Sequence, residues 1–140
     1  MTIKEIQEEI IDEFSFFEDW LESYEYIIEL GKSLPLIKEE FKTDSNLISG
    51  CQSKVWLHSE IEGDKIKFTA DSDAILTKGI VGLLLRVFNN QKPADILDAD
   101  LYFVDKIGLK EHLSPTRANG LVSMIKQIKL YALAFQSKLS

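Results

Sequence analysis

The stretch Ser49-Gly50-Cys51-Gln52-Ser53-Lys54-Val55-Trp56 lies where the chain passes from polar loop to strand, and it holds the protein's one cysteine. The residues directly after it decide the fold. Val55, Leu57 and Ile61 alternate with Lys54, His58 and Glu60, with Trp56 and Ser59 blurring the pattern. Lys65-Ile66-Lys67-Phe68-Thr69-Ala70-Asp71 then alternates cleanly, placing Ile66, Phe68 and Ala70 on one face. A period of two over such lengths is the mark of a half-buried strand. Between the two runs lies Glu62-Gly63-Asp64, a loop of hairpin type. An isolated hairpin is marginal in water, so this one requires a third strand or covering helices.

The cover is legible on both sides. Downstream, Asp71-Ser72-Asp73 precedes an apolar run from Ala74 to Phe88, expected to be the central buried helix. Ser72 or Asp73 is expected to cap it, and Gly79 and Gly82 would let another backbone come close. Pro93–Leu97 reads as one more helical turn, and Leu101-Tyr102-Phe103-Val104 as a third strand. Ser114-Pro115 starts a closing helix, with Ala118, Leu121, Ile125, Ile128, Ala132, Phe135 and Leu139 at alternating spacings of three and four.

Upstream, Ile3, Ile6, Ile10, Phe14, Phe17 and Leu21 recur at helical spacing among acidic residues. Asp19 and Glu22 have capping-box spacing, so a second helix is expected from near Trp20 to Gly31, with Gly31 as a left-handed C-terminal cap. Pro35 is expected to open a short helical segment reaching Glu39 or Glu40, and Thr43-Asp44-Ser45-Asn46 is loop chemistry. The sum is one α+β domain over residues 1–140, a small three-stranded antiparallel sheet packed against helices.

At 140 residues the chain suffices for one core and is short for two. No apolar run reaches the roughly 18 residues of a membrane span, and the acidic start, Met1 to Glu9, lacks the layout of a signal peptide. A soluble cytoplasmic protein, not bound to membrane, is expected. The net charge of −7 is uneven: up to Phe41 twelve acids face three lysines, and from Arg117 onward every charged side chain is basic. An acidic first part argues against nucleic-acid binding, which requires a basic face; solvated helix faces account for the asymmetry.

One cysteine excludes an internal disulfide, and neither His58 nor His112 has a partner at ligand spacing, so no metal site is expected. Cysteine is often an inert buried hydrophobe. Cys51, however, follows a glycine on what should be a loop tip, where a thiol is accessible, and the thiolate is the reactive form. Lys54 is the nearest cation in sequence; His58, His112 and Arg117 depend on the fold. Without a second cysteine, a dithiol cycle within the chain is excluded. A single thiol can accept a group, hold it and pass it on. Asp71 and Asp73 read as helix-capping residues rather than as an acid–base pair. Arg117 stands against the helix dipole in the first turn of its helix, a hint of another partner.

Gly50-Cys51-Gln52-Ser53-Lys54-Val55-Trp56 resembles the signature of the SufE family of sulfur acceptors. Tyr26–Lys32 with Leu34-Pro35, Asp71–Ala74 with Lys78-Gly79, and Leu109 with His112–Arg117 and Asn119–Leu121 resemble its other blocks, in the family's order. The resemblance implies a fold shared with IscU-type scaffolds and a protein that takes sulfane sulfur as a persulfide on Cys51. The donor it implies is a SufS-like or CsdA-like cysteine desulfurase, which the acceptor stimulates and which carries the pyridoxal phosphate. This chain would need no cofactor and have no stand-alone turnover, and it would deliver towards iron–sulfur cluster assembly on a SufBCD-like scaffold. Gly50, Gln52 and Ser53 frame the acceptor, while Asp73, His112 and Arg117 match motif positions as neighbours of the cysteine or of the partner. Monomer and homodimer are both open. The rival readings are an IscU-like scaffold, which would want four mostly thiolate ligands, a structural adaptor, and a single-cysteine redox protein.

Overall fold

The computed structural model describes residues 1–139, and the side chains of residues 1–138. In chain order the elements are α1 (Ile3–Phe14), α2 (Trp20–Gly31), β1 (Val55–Glu62), β2 (Lys65–Ser72), α3 (Ile75–Phe88), α4 (Pro93–Asp98), α5 (Phe103–Lys106), α6 (Leu109–His112) and α7 (Pro115–Leu139). Two single-turn 3₁₀ segments, Glu39–Phe41 and Asp44–Asn46, lie between α2 and β1.

The hairpin is as its alternation predicts. β1 and β2 pair antiparallel from Val55 opposite Ser72 to Glu62 opposite Lys65. Val55, Leu57, Ile66, Phe68 and Ala70 face the core and are fully or almost fully buried. Gly63 opens the connecting turn with φ of 64°, a backbone state that favours glycine.

The sheet has two strands, not three. Leu101–Val104 does not join it: Phe103 begins the single-turn helix α5, and the consecutive residues Phe103 and Val104 are both buried, as a helix allows and an alternating strand does not. Gln7 of α1, itself buried, explains the local choice. Its amide accepts from the Phe103 N–H at 3.2 Å and donates to the Asp100 carbonyl at 3.1 Å.

Nor is a third strand needed on the free edge of β2, because each of its outward backbone groups from Ile66 to Ala70 finds a substitute. The Ile66 N–H donates to the Gln91 carbonyl and the Ile66 carbonyl accepts from Asn90 N–H, both at 3.0 Å. At Phe68 the Asn89 side chain imitates a strand, accepting from the N–H at 2.6 Å and donating to the carbonyl at 3.3 Å. At Ala70 the Pro35 carbonyl and the Ile37 N–H serve, at 3.0 and 3.1 Å. Pro35–Ile37 is therefore extended along the sheet rather than helical; the helical turn starts at Glu39.

α3 is the centre of the core, with buried residues on nearly every side. α2 crosses it at backbone distance. A Cβ on Gly79 would lie 2.1 Å from the Ile27 carbonyl oxygen, and one on Gly31 would lie 3.0 Å from the Gly79 nitrogen. Gly31 is thus a buried crossing residue, not the left-handed cap expected of it: the cap position is Lys32, in right-handed helical conformation. α1 covers α3 through Ile3, Ile6, Ile10 and Phe14, and is tied to it by Arg86, which pairs with Glu9 at 2.6 Å and Glu13 at 2.5 Å. Arg86 holds the Glu13 carboxyl below its ordinary range. α7 closes the other side with Leu121, Met124, Ile128 and Ala132; the Leu139 side chain lies outside the described residues. Among the described residues no helix is long and apolar enough to cross a membrane.

Two substitutions test this architecture. Asn89→Ala should leave the Phe68 N–H and carbonyl unpaired at a buried edge and lower stability by about 2 kcal/mol, seen as a lower urea midpoint. Gly79→Ala should cost about 3 kcal/mol or more, since the atoms to be displaced are backbone. Gly63→Ala, where an added methyl meets nothing within 4 Å, should cost only the turn strain, about 1 kcal/mol.

Candidate functional site

The loop carrying Cys51 is stapled at both ends. The Ile48 N–H donates to the Val55 carbonyl at 2.9 Å. On the exit side the Lys54 N–H donates to Asp73 Oδ1 at 3.0 Å, and the Asp73 N–H returns to the Lys54 carbonyl at 3.3 Å. Asp73 therefore holds the loop rather than capping α3, whose cap residue, Ala74, offers no side-chain bond. Ser72 does reach into that turn, accepting from the Ala74 N–H at 3.3 Å.

Gly50 is where the loop turns onto α7. Its φ of 89° suits glycine, and a Cβ there would lie 2.5 Å from Ser123 Oγ. The turn places Cys51 Sγ 3.6 Å from the Gly120 carbonyl oxygen, to which the thiol donates. Gly120 is buried directly beneath the loop: a Cβ there would lie in ordinary contact with Sγ, at 3.6 Å. Sγ is half-buried, not exposed at a loop tip. Beside it is a cavity of about 10 Å³ lined by Thr77 and Ile80 of α3 and by Thr116, Arg117 and Met124 of α7, with Gln52 and Ser53 at the loop side. Such a volume holds about one water-sized group.

The electrostatics favour the neutral thiol. Burial pushes the Cys51 thiol up from its ordinary range, and the polar neighbour is a carbonyl oxygen, which stabilises S–H and not S⁻. Arg117 is the cation brought to the recess. It is exposed and forms no ion pair among the described residues, so it is uncommitted towards an incoming anion.

The other candidates lie elsewhere. The His112 ring stacks on Trp20 at 4.1 Å, its Nδ1–H donates to the Gly108 carbonyl at 2.9 Å, and its own carbonyl accepts from Tyr24 Oη at 2.8 Å. It ties α2 to the approach of α7 and does not line the recess. His58 stacks on Phe41 at 3.9 Å and meets Glu60 at 3.2 Å. Asp71 pairs with Lys42 at 2.7 Å and Lys78 at 3.3 Å. Lys54 is exposed and outside the recess. Sequence reasoning missed Thr77, Ile80, Gly120, Ser123 and Met124 as neighbours of the loop. Gly120 was visible as a glycine inside a strongly helical stretch, which asks for a packing reason.

A single thiol on a stapled loop, seated in the seam between two helices of an α+β domain, defines a single-cysteine protein with a recessed thiol. The similarities to known proteins make the class specific. Residues 8–132 match the SufE family, described as the Fe-S metabolism associated domain. An uncharacterized SufE-like protein of Rhizobium meliloti (strain 1021) is 43% identical over 127 residues, covering 87% of this chain and 91% of that one. A second, of Synechocystis, is 35% identical over 127 residues, covering 91% and 80%. The solution structure of a hypothetical protein from Thermus thermophilus shares the fold, with a TM-score of 0.78 at 19% identity over 94% of this chain and 96% of that one. The chain belongs to the SufE family, and with it to iron–sulfur metabolism.

The recess makes a prediction about pH. Because folding raises the thiol's pKa, ionisation of Cys51 should require a higher pH than in the unfolded chain, and stability should fall as pH rises through that window. Alkylation by iodoacetamide should show a midpoint above that of free cysteine, about 8.5, returning to it in denaturant. Asp73→Ala, which removes the side-chain bond of the exit staple and keeps the backbone one, should speed alkylation at neutral pH by about threefold to tenfold, as expected of losing one or so kcal/mol of hydrogen bonding.

Proposed function

We propose that the protein is a sulfur carrier: Cys51 accepts sulfane sulfur from the persulfide of a cysteine desulfurase and passes it towards iron–sulfur cluster assembly. The observation that carries the reading is the Cys51 recess, a lone thiol with space for about one further atom beside Sγ. The family's association with Fe–S metabolism supports it.

In the acceptance step the Cys51 thiol gives its proton to solvent or to a base on the donor. The thiolate attacks the outer sulfur of the donor persulfide. A bond forms between Cys51 Sγ and that sulfur, the donor's S–S bond breaks, and the donor cysteine leaves as a thiolate. No net oxidation occurs. Delivery is the same exchange with the recipient's thiolate attacking. The step asks nothing of this chain beyond the thiol, so no cofactor is assigned to it; the pyridoxal phosphate that liberates sulfur from cysteine belongs to the donor.

The resting geometry explains why a partner is required. Seated on the Gly120 carbonyl, Sγ is neutral and shielded, so attack must follow departure of the loop from α7. Gly50 supplies the pivot, and the staples at Ile48–Val55 and Lys54–Asp73 confine the movement to the residues between them. Arg117, at the mouth, is placed to meet the anionic sulfur as the thiol emerges. Return to the recess would shelter the loaded persulfide, a readily reduced and oxidised group. In this reading the donor is SufS-like or CsdA-like, the protein stimulates it by removing its sulfur, and a SufBCD-like scaffold is the recipient.

Incubation with a cysteine desulfurase and free cysteine, followed by intact-mass measurement, should show the gain of one sulfur atom, lost on reduction and absent in Cys51→Ser. No gain with either desulfurase class would sink the assignment. Arg117→Ala should slow acceptance about tenfold, the loss of ~1.4 kcal/mol of transition-state stabilisation, with the unfolding midpoint unchanged.

A further inference from the structure

We propose that the outward face of α7, with α4 and α6 beside it, is a docking groove for an acidic amphipathic helix of a partner protein. The groove has a volume of about 510 Å³. Its apolar surface comes from Val122, Ile125, Leu130 and Leu133 of α7 and from Leu97 of α4. Val122, Leu130 and Leu133 are 50%, 48% and 51% exposed, which is anomalous for three large aliphatic side chains on one helix face. Contiguous apolar surface of this kind, rimmed by polar groups, marks interaction sites.

The rim identifies the occupant by charge. Lys110, Lys126 and Lys129 border the groove, and among the described residues no acidic side chain lines it. From Arg117 onward the chain has no acid at all. Lys129 donates to the Ala99 carbonyl at 2.6 Å, while Lys110 and Lys126 are exposed and form no ion pair among the described residues. From Val122 to Leu133 the face runs about 16 Å at the α-helical rise, more than the roughly 10 Å over which a partner helix presents anchors at i, i+3 or i+4, and i+7. Apolar anchors flanked by carboxylates fit both features.

A second copy of this chain does not supply such a helix. Its acidic amphipathic helices are α1 and α2, and their apolar faces are already committed to the core, α1 through Ile3, Ile6, Ile10 and Phe14 and α2 through Ile27 and Leu30. The groove also leaves the thiol free. Gly120 and Met124, which border Cys51, lie on nearly the opposite side of α7 from Val122, Lys129 and Leu133 at 100° per residue. A partner held here would be bound while Cys51 remains open to exchange.

The test uses the full chain and two synthetic helical peptides of about five turns. Both carry leucines at helix-face spacing, one with glutamates and the other with lysines elsewhere. Fluorescence anisotropy should show the acidic peptide binding at least about tenfold more tightly than its basic twin, with affinity falling as salt rises. Amide chemical-shift changes should centre on residues 122–133. Lys126→Glu and Leu133→Glu, both at exposed positions, should each weaken binding about tenfold while leaving thermal melting and Cys51 alkylation unchanged. Four results would overturn the proposal: no binding of the acidic peptide, equal binding of the two, shifts centred elsewhere, or concentration-dependent dimers abolished by Leu133→Glu. Persulfide loading of Cys51 is read separately, so failure here leaves the sulfur-carrier assignment untouched, and the reverse.

Discussion

α3 is apolar on almost every side, and that single constraint organises the molecule. A helix of this kind cannot stand at a surface, so each other element is placed by the side of α3 it must cover. α2 meets it closely enough that Ile27 and Gly79 leave no space for a methyl group. The hairpin lays its buried face on it, α1 covers it beside Arg86, and α7 closes the remaining side. The thiol recess is a consequence of this arrangement. It is the shallow seam left where Thr77 and Ile80 of α3 meet Gly120 and Met124 of α7, and the Cys51 loop fills it.

The same burial accounts for what is readable in the chain and what is not. Wherever one face is core and the other solvent, the pattern is periodic: the hairpin, α1, α2 and the inner face of α7 all carry it. Leu101–Val104 misleads because four apolar residues in a row fit a buried strand and a buried helical turn alike. The arbiter is the Gln7 amide, 96 residues away in sequence from Phe103. Asn89 is similar. Nothing near it in the sequence says that its side chain will finish an edge of the sheet at Phe68. Gly31 is required where it stands, but for crossing and not for capping: a helix-ending glycine and a helix-crossing glycine look the same from one side of the contact.

Cys51 stands out in the sequence as the candidate thiol because it is unique and sits beside a glycine, but its environment is not legible there. Residues contributed by α3 and α7, far along the chain, decide that the thiol is half-buried and neutral at rest. Of the cations available to it by sequence, only Arg117 arrives at the recess, while His112 is committed to Trp20 and Gly108. Asp73 matters too, through the backbone of Lys54 and not through the thiol.

A protected thiol and a reactive thiol make opposite demands on one atom. Protection calls for burial and an acceptor for S–H; reactivity calls for water, a cation and access. If Cys51 is the sulfur acceptor proposed above, no single position of Sγ meets both, so the conflict has to be resolved by movement. Gly50 can turn through conformations closed to other residues, and the bonds that hold the loop ends lie outside the residues that must move. Opening would disrupt a thiol–carbonyl contact and a small buried surface, a local cost far below that of global unfolding. Under that proposal, a partner that bound the open loop would have only that local difference to overcome, and the core around α3 would not have to yield.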